Sequence, residues 1–265
     1  MFRHILLGVV QGVTEFLPIS SSGHLVIAQE LLGLSGPRTF FDALLHFATL
    51  IAVLIVYRSR IAHLGRDLFS AESGGEGRKY LALLVVATLP VVLIGLLAKE
   101  RVERAFGSTL VAGIGLVGTG AILWISKYAR RAQKEVTDLS LKGSLLIGIA
   151  QAGALIPGVS RSGITISAGL FSRLKGERAA EFSFLLMIPA VTGATLLQLW
   201  DFLQSPTIAQ VSPVAYVAGG LSATLTGALA IKFLLRVLEN RENFSKFAYY
   251  CFAAGGSVLL YNLFL

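Results

Sequence analysis

The chain has 265 residues, 54% of them hydrophobic and 14% charged, with a mean hydropathy of +0.73. Soluble domains carry roughly 25% charged residues, so a water-solvated globular domain is excluded and an all-α integral membrane protein is expected. The net charge of +8 resides in short Lys and Arg clusters between long apolar runs, which is a positive-inside pattern and not the continuous basic surface that nucleic acid requires.

The first apolar piece, residues 2–17, follows Arg3 and has the outline of a signal peptide. It contains Gln11 and Glu15 and runs into Pro18-Ile19-Ser20-Ser21-Ser22-Gly23 without an A-x-A-like site, so it is expected to be retained. A second short piece, 21–33, lies beyond that break. Three segments long enough to span a hydrocarbon core of about 20 residues follow, at 40–57, 80–98 and 108–126. Two more short pieces, 141–156 and 162–172, are joined by a break from Pro157 through Gly163, and three further spans lie at 181–203, 212–235 and 246–265. The last holds Cys251, the single cysteine, which has no intrachain partner.

Half-length helices joined at a break read as re-entrant hairpins, because exposed backbone at membrane depth is tolerated only inside protein or beside a watery cavity. The two hairpins, 2–33 and 141–172, also resemble each other at a shift of 140 residues. Leu6, Gly8, Gln11, Ser20, Ser22 and Gly23 meet Leu146, Gly148, Gln151, Ser160, Ser162 and Gly163; at a shift of 141, Phe41, Leu44 and Leu45 meet Phe182, Leu185 and Leu186. One membrane domain, 1–265, is therefore expected to contain a first repeat over 1–126 and a second over 141–265. Three spans separate the hairpins, and an odd number inverts the second, giving six transmembrane helices plus two re-entrant helical hairpins in an inverted-topology repeat. With the N-terminus outside, the basic loops 58–79, 127–142, 173–178 and 232–246 all face inward, while Arg3, Arg38, Lys99, Arg101 and Arg104 face outward. Arg161, at the tip of the second break, belongs to neither group.

An arginine in a membrane costs about 2.5–3.5 kcal/mol on insertion scales and calls for an anion. Glu15 is the acidic oddity of the first hairpin, with Gln11 one turn earlier on the same face. If the hairpins meet tip to tip, Glu15 and Arg161 share a cavity, either as a structural ion pair or as part of a site. Hydroxyls surround both: Ser20, Ser21 and Ser22 on one side, Ser160, Ser162 and Thr165 on the other. Each set opens a short helix, where serines can cap and free N–H groups with the positive dipole end point into the cavity. Two helix N-termini and an arginine suit phosphate. His24, three residues after Ser21 and four after Ser20, can approach a hydroxyl on that face and manage protons there, or simply pack. His46 and Asp42 lie in a full span and read as packing or hydrogen bonding within the bundle. No CxxC pair, HExxH or Walker-type loop is present, whereas a magnesium ion held by one carboxylate and substrate phosphates would leave no motif.

The run from Gln11 to His24, together with Pro157-Gly158-Val159-Ser160-Arg161-Ser162-Gly163-Ile164-Thr165, resembles the undecaprenyl-diphosphate phosphatase family, also called the bacitracin-resistance family. Its [E/Q]xxxE motif matches Gln11 to Glu15 and its PGxSRSxxT motif matches Pro157 to Thr165, and the likeness extends over essentially the whole chain. The resemblance implies hydrolysis of undecaprenyl diphosphate to undecaprenyl phosphate and inorganic phosphate. That reaction recycles the lipid carrier of peptidoglycan synthesis, confers bacitracin resistance, and takes place at a site facing outward from the bacterial cytoplasmic membrane. It implies Glu15, Ser21, His24 and Arg161 as catalytic residues, with serine or an activated water attacking, and Gln11, Ser20, Ser160, Ser162 and Thr165 as substrate ligands. A divalent cation, Mg or Ca, can accompany the substrate. Many relatives have glutamate at the position of Gln11, so this chain lacks one carboxylate. The partners implied are undecaprenyl diphosphate and membrane lipid, and the chain can form a homo-oligomer. A transporter or flippase of a phosphorylated lipid competes on architecture alone, as does a structural membrane subunit, against which the polar tips argue.

Overall fold

The computed structural model describes residues 1–34, 39–69, 75–130, 133–204 and 212–264. Arg38, Arg131 and Leu265, which enter the loop and span expectations above, lie outside the described residues. Those described are helical, with one isolated bridge, Lys134 to Leu174, as the only β pairing among them. In chain order the helices are α1 (Phe2–Phe16), α2 (Ser21–Leu31), α3 (Thr39–Val56), α4 (Arg58–Phe69), α5 (Glu76–Leu97), α6 (Lys99–Phe106), α7 (Thr109–Ser126), α8 (Leu141–Gly153), α9 (Arg161–Phe171), α10 (Gly176–Gln204), α11 (Pro213–Leu238), α12 (Arg241–Ser245) and α13 (Phe247–Phe264).

Among the described residues, five segments are long and apolar enough to cross a membrane: α5, α7, most of α10, α11, and Glu242–Phe264. A sixth exists only if α3 and α4, bent by 75° at Tyr57, count together. The chain is thus a multi-pass membrane protein. Pro90 inside α5 and Pro189 inside α10 are tolerated because neighbouring helices and local adjustments satisfy the freed carbonyls.

The sequence reading is corrected at the loops. Residues 58–69, read as a loop, form α4, because Ile61 and Leu64 pack against the core while the cations lie elsewhere on the helix. The N–H of Gly77 donates to the Asp67 carboxylate, which ties α4 to the start of α5. Residues 99–106 likewise coil into the amphipathic α6. Both are short polar helices that a hydropathy window does not register.

Side by side, α1 runs along α11, α8 along α5 and α7 along α13, while α3 packs on α10 and α11. Without an apolar contrast between lipid and side chain, such contacts depend on close approach. Gly8 and Gly12 provide it on α1: a Cβ at Gly8 would strike Ser222 and the Gly219 carbonyl, and one at Gly12 would strike Thr226 and the Ala223 carbonyl. The main core gathers Phe16, Tyr80, Phe182 and Phe184, with Phe16 edge-on to Phe184 at 5.3 Å. Outward, Leu221, Leu225 and Leu229 make an exposed apolar stripe along α11, a surface suited to lipid.

Candidate active site

The site is built where the chain breaks twice. After α1 the backbone turns extended at Leu17, passes Pro18 and Ile19, and reaches Ser20 with φ of 70° before α2 begins. After α8 it turns through Gly158, whose φ is 83°, and enters α9 at Ser160. A Cβ at Gly158 would collide with the Ala112 carbonyl, so only glycine lets this loop lie against α7. Thr119 of α7 pins the same loop, donating from Oγ1 to the Gly158 carbonyl at 3.2 Å and accepting from the Ser160 N–H at 2.9 Å. The two breaks touch where Ser162 Oγ donates to the Leu17 carbonyl at 3.2 Å, and α13 holds the first break through Cys251 Sγ, which donates to the Pro18 carbonyl at 3.4 Å.

Glu15, in the last turn of α1, lies at the centre. Its Oε1 accepts from Arg161 Nη2 at 2.7 Å, and its Oε2 accepts from Ser21 Oγ at 2.5 Å and from Gln11 Nε2 at 3.1 Å. The Glu15 side chain is 6% exposed and that of Arg161 17%, so the pair is largely withdrawn from solvent. Arg161 Nη1 also donates to the Ser183 carbonyl at 3.3 Å, which aims the side chain toward α1. Ser21, Gln11 and Arg161 thus each bond the Glu15 carboxylate.

The remaining sequence candidates are engaged otherwise. Ser160 caps α9, accepting from the Gly163 N–H at 3.1 Å, and its Oγ is 3.2 Å from that of Ser162. Thr165 Oγ1 bonds the Arg161 carbonyl at 2.7 Å and Ser183 Oγ at 2.6 Å. All three are buried in this arrangement, and their hydroxyls bond protein groups. Ser20 does not cap α2; its Oγ bonds Ser22 Oγ at 3.2 Å. His24 does not reach the Ser21 hydroxyl: Nδ1 bonds the Ser20 carbonyl at 2.7 Å, and Nε2 bonds Tyr250 Oη at 2.5 Å.

Sequence reasoning passed over Thr119, Ser183 and Tyr250, none of which stands out among hydroxyls in apolar helices. His46, read as packing or hydrogen bonding within the bundle, does hydrogen-bond there, with Nδ1 2.9 Å from Gln11 Nε2, and also lies 3.4 Å from Glu15 Oε2, which places it beside the site. The signal available was an ionisable residue inside a span.

A largely apolar cavity of about 300 Å³ adjoins the junction. Ser22, Gly23, Val26, Ile27 and Glu30 of α2, Pro157 of the second break, and Ser257, Val258 and Tyr261 of α13 are among its walls. Ser22, Gly23 and Pro157 place its inner end at the two breaks; Glu15 and Arg161 do not line it. Among the described residues no group of three or more His, Cys, Asp or Glu is arranged to hold a metal ion.

This arrangement joins a carboxylate, a hydroxyl and a guanidinium at a junction of two chain breaks that an apolar cavity adjoins, a set of groups that the hydrolysis of an amphipathic phosphate ester or anhydride would need. The model of the bacitracin resistance protein BacA family matches residues 4–257. A protein named undecaprenyl-diphosphatase from Syntrophotalea carbinolica is 44% identical over 258 residues, covering 96% of this chain and 97% of that protein. Proteins of the same name from Carboxydothermus hydrogenoformans and Korarchaeum cryptofilum are 39% and 41% identical, each over at least 96% of both chains. With a match over nearly its whole length, the chain belongs to the bacitracin resistance protein BacA family.

Proposed function

We propose that this chain is an undecaprenyl-diphosphatase, hydrolysing undecaprenyl diphosphate to undecaprenyl phosphate and inorganic phosphate. The observation that carries the reading is Glu15 bonded at once to Arg161, at 2.7 Å, and to Ser21, at 2.5 Å, where the two chain breaks meet. Arg161 and the first turn of α9 supply positive charge for the diphosphate and for the charge that grows on its oxygens as the bond breaks. Glu15 Oε2 is positioned to take the proton from Ser21 Oγ, or from a water in its place, as that oxygen attacks the terminal phosphorus and undecaprenyl phosphate leaves; where serine attacks, a water then cleaves the phosphoserine to release inorganic phosphate. His24 is too far engaged with Tyr250 to activate Ser21 in this arrangement; its role is to hold α2 against α13 and manage protons at the rim. Gln11 orients Glu15, and Ser20, Ser160, Ser162 and Thr165 shape the anion-binding turns from behind. The polyprenyl chain occupies apolar surface at membrane depth.

A divalent cation belongs to this proposal as a companion of the substrate. Glu15 already accepts protein hydrogen bonds at both oxygens, so the side chains at the junction do not form a cage for a metal. Magnesium or calcium would be carried on diphosphate oxygens and water.

The same proposal places the protein in a bacterial cytoplasmic membrane with the junction opening outward and the two halves arranged as an inverted repeat of re-entrant hairpins. The reciprocal helix pairings support it. The first hairpin's α1 lies on α11 of the second half, the second hairpin's α8 lies on α5 of the first, and the equivalent spans α7 and α13 pair with each other. Such architecture is also that of transporters, and flipping of a phosphorylated lipid is the second reading it favours.

Phosphate release from undecaprenyl diphosphate by detergent-purified protein, measured across several divalent ions, tests the proposal. Arg161→Ala and Ser21→Ala are each expected to lower the rate by about 10²-fold or more while remaining folded. Activity that survives Ser21→Ala transfers the attack to water, and a wild type that releases no phosphate under any of these conditions leaves the transporter reading in its place.

A further inference from the structure

Glu15 Oε2 has a neighbour that the scheme above leaves unused. His46 projects from α3, a helix belonging to neither break, yet its Nδ1 lies 2.9 Å from Gln11 Nε2 and 3.4 Å from Glu15 Oε2. Those two contacts require opposite proton states. Gln11 Nε2 is a donor, so a bond to it needs an unprotonated Nδ1; an ion pair with Glu15 needs Nδ1–H. Gln11 can serve either state. Its Oε1 is buried without a partner, which is costly, and a half-turn of the amide would present that oxygen to Nδ1–H. The His46 side chain is 34% exposed while that of Glu15 is 6% exposed, so the imidazole can exchange protons where the carboxylate cannot do so directly.

We propose that His46 is a positioning residue for this site: by moving one proton on or off Nδ1 it switches between accepting from Gln11 Nε2 and donating to Glu15 Oε2, and so sets how far Glu15 Oε2 is left to Ser21. The inference rests on the hydrolytic reading. The charged groups facing His46 are Glu15 on α1, Arg161 on α9 and Asp42 one turn earlier on α3. Because Nδ1–H and Ser21 O–H compete for the same oxygen, the protonated imidazole depresses the reaction and the neutral one permits it.

The test compares the pH profile of kcat and kcat/KM for phosphate release in wild type, His46→Gln and His46→Ala. His46→Gln keeps an amide within reach of the same neighbours but cannot titrate. Its acid limb is expected to move by about one pH unit or more, with kcat on the alkaline side within about tenfold of wild type. His46→Ala is expected to lose more than His46→Gln, so that the conservative variant restores part of the rate. A uniform loss with a wild-type-shaped profile in both variants, or no change in either, overturns the inference. A second measurement does not depend on turnover: the imidazole resonance that disappears in His46→Gln is titrated by NMR in wild type and in Glu15→Gln. A midpoint that moves by about one unit supports the coupling, and an unmoved midpoint overturns it even if hydrolysis is observed. A wild type without phosphatase activity but with a moved midpoint removes the hydrolytic reading alone and leaves the Glu15–His46 switch standing.

Discussion

At the scale of single residues, the two breaks meet the same geometric demand with different side chains. Both need a positive φ, supplied by Ser20 in the first and Gly158 in the second. A serine at φ of 70° is held by its surroundings, here by its carbonyl accepting from His24 and its hydroxyl bonding Ser22. Gly158 has no such freedom to be replaced, since a Cβ there would meet the Ala112 carbonyl. Gly158→Ala is therefore expected to destabilise the protein by about 3 kcal/mol, combining backbone strain with overpacking. Gly193→Ala, in α10 where nothing lies within 4 Å of the added carbon, is expected to be neutral or stabilising by up to about 1 kcal/mol. Thermal unfolding in one detergent, with both variants beside the wild type, checks the contrast; equal effects would mean that the second break is not held against α7. Glu15 and Arg161 were legible in the sequence because an ionised side chain in an apolar run is conspicuous. His46 was not, because one histidine in a span carries no mark of which neighbour it will meet.

At the scale of helices, hydropathy placed every long helix to within a few residues but passed over α4 and α6, whose apolar faces are too narrow to raise a window average. The attachment of α4 depends in part on charge. Glu181 of α10 accepts from Arg60 Nε at 3.0 Å, from Arg178 Nη1 at 2.8 Å and from Tyr80 Oη at 3.2 Å. Arg60 reaches on to Glu76 at 2.7 Å, and Arg178 to Glu135 at 2.5 Å. One buried carboxylate thereby gathers α4, α5 and α10 with the segment before α8. The two arginines are 24% and 32% exposed and each keeps a second acidic partner. Glu181→Ala is for that reason expected to cost about 2 kcal/mol, less than the 3–5 kcal/mol of a fully buried broken pair. A double-mutant cycle with Arg60→Ala, read by thermal unfolding, should return a coupling well above that of an exposed ion pair. Simple additivity would reduce the cluster to surface decoration.

At the scale of the whole molecule, the places of the apolar helices along the chain follow from hydropathy, whereas the partner of each does not. Transmembrane helices associate through small residues and backbone approach, and Gly8 meeting Gly219 or Gly148 meeting Ala87 leaves no trace in a sequence rich in glycine throughout. The 140-residue self-similarity is what suggests where α1 and α8 should dock, and the orientation it entails can be measured. In the proposed topology α4 lies inside and α6 outside, although only α5 separates them. Arg66 on α4 and Arg104 on α6 are both exposed, and Cys251, the single native cysteine, is buried, so the wild type gives a low labelling background. A membrane-impermeant maleimide added to intact cells should label Arg104→Cys within minutes and reach Arg66→Cys only after permeabilisation. The reverse pattern would turn the junction of the two breaks toward the cytoplasm, where an outward-facing lipid diphosphatase could not meet its substrate. Labelling of both positions in intact cells would mean that α5 does not span, and the odd count on which the inversion rests would fail with it.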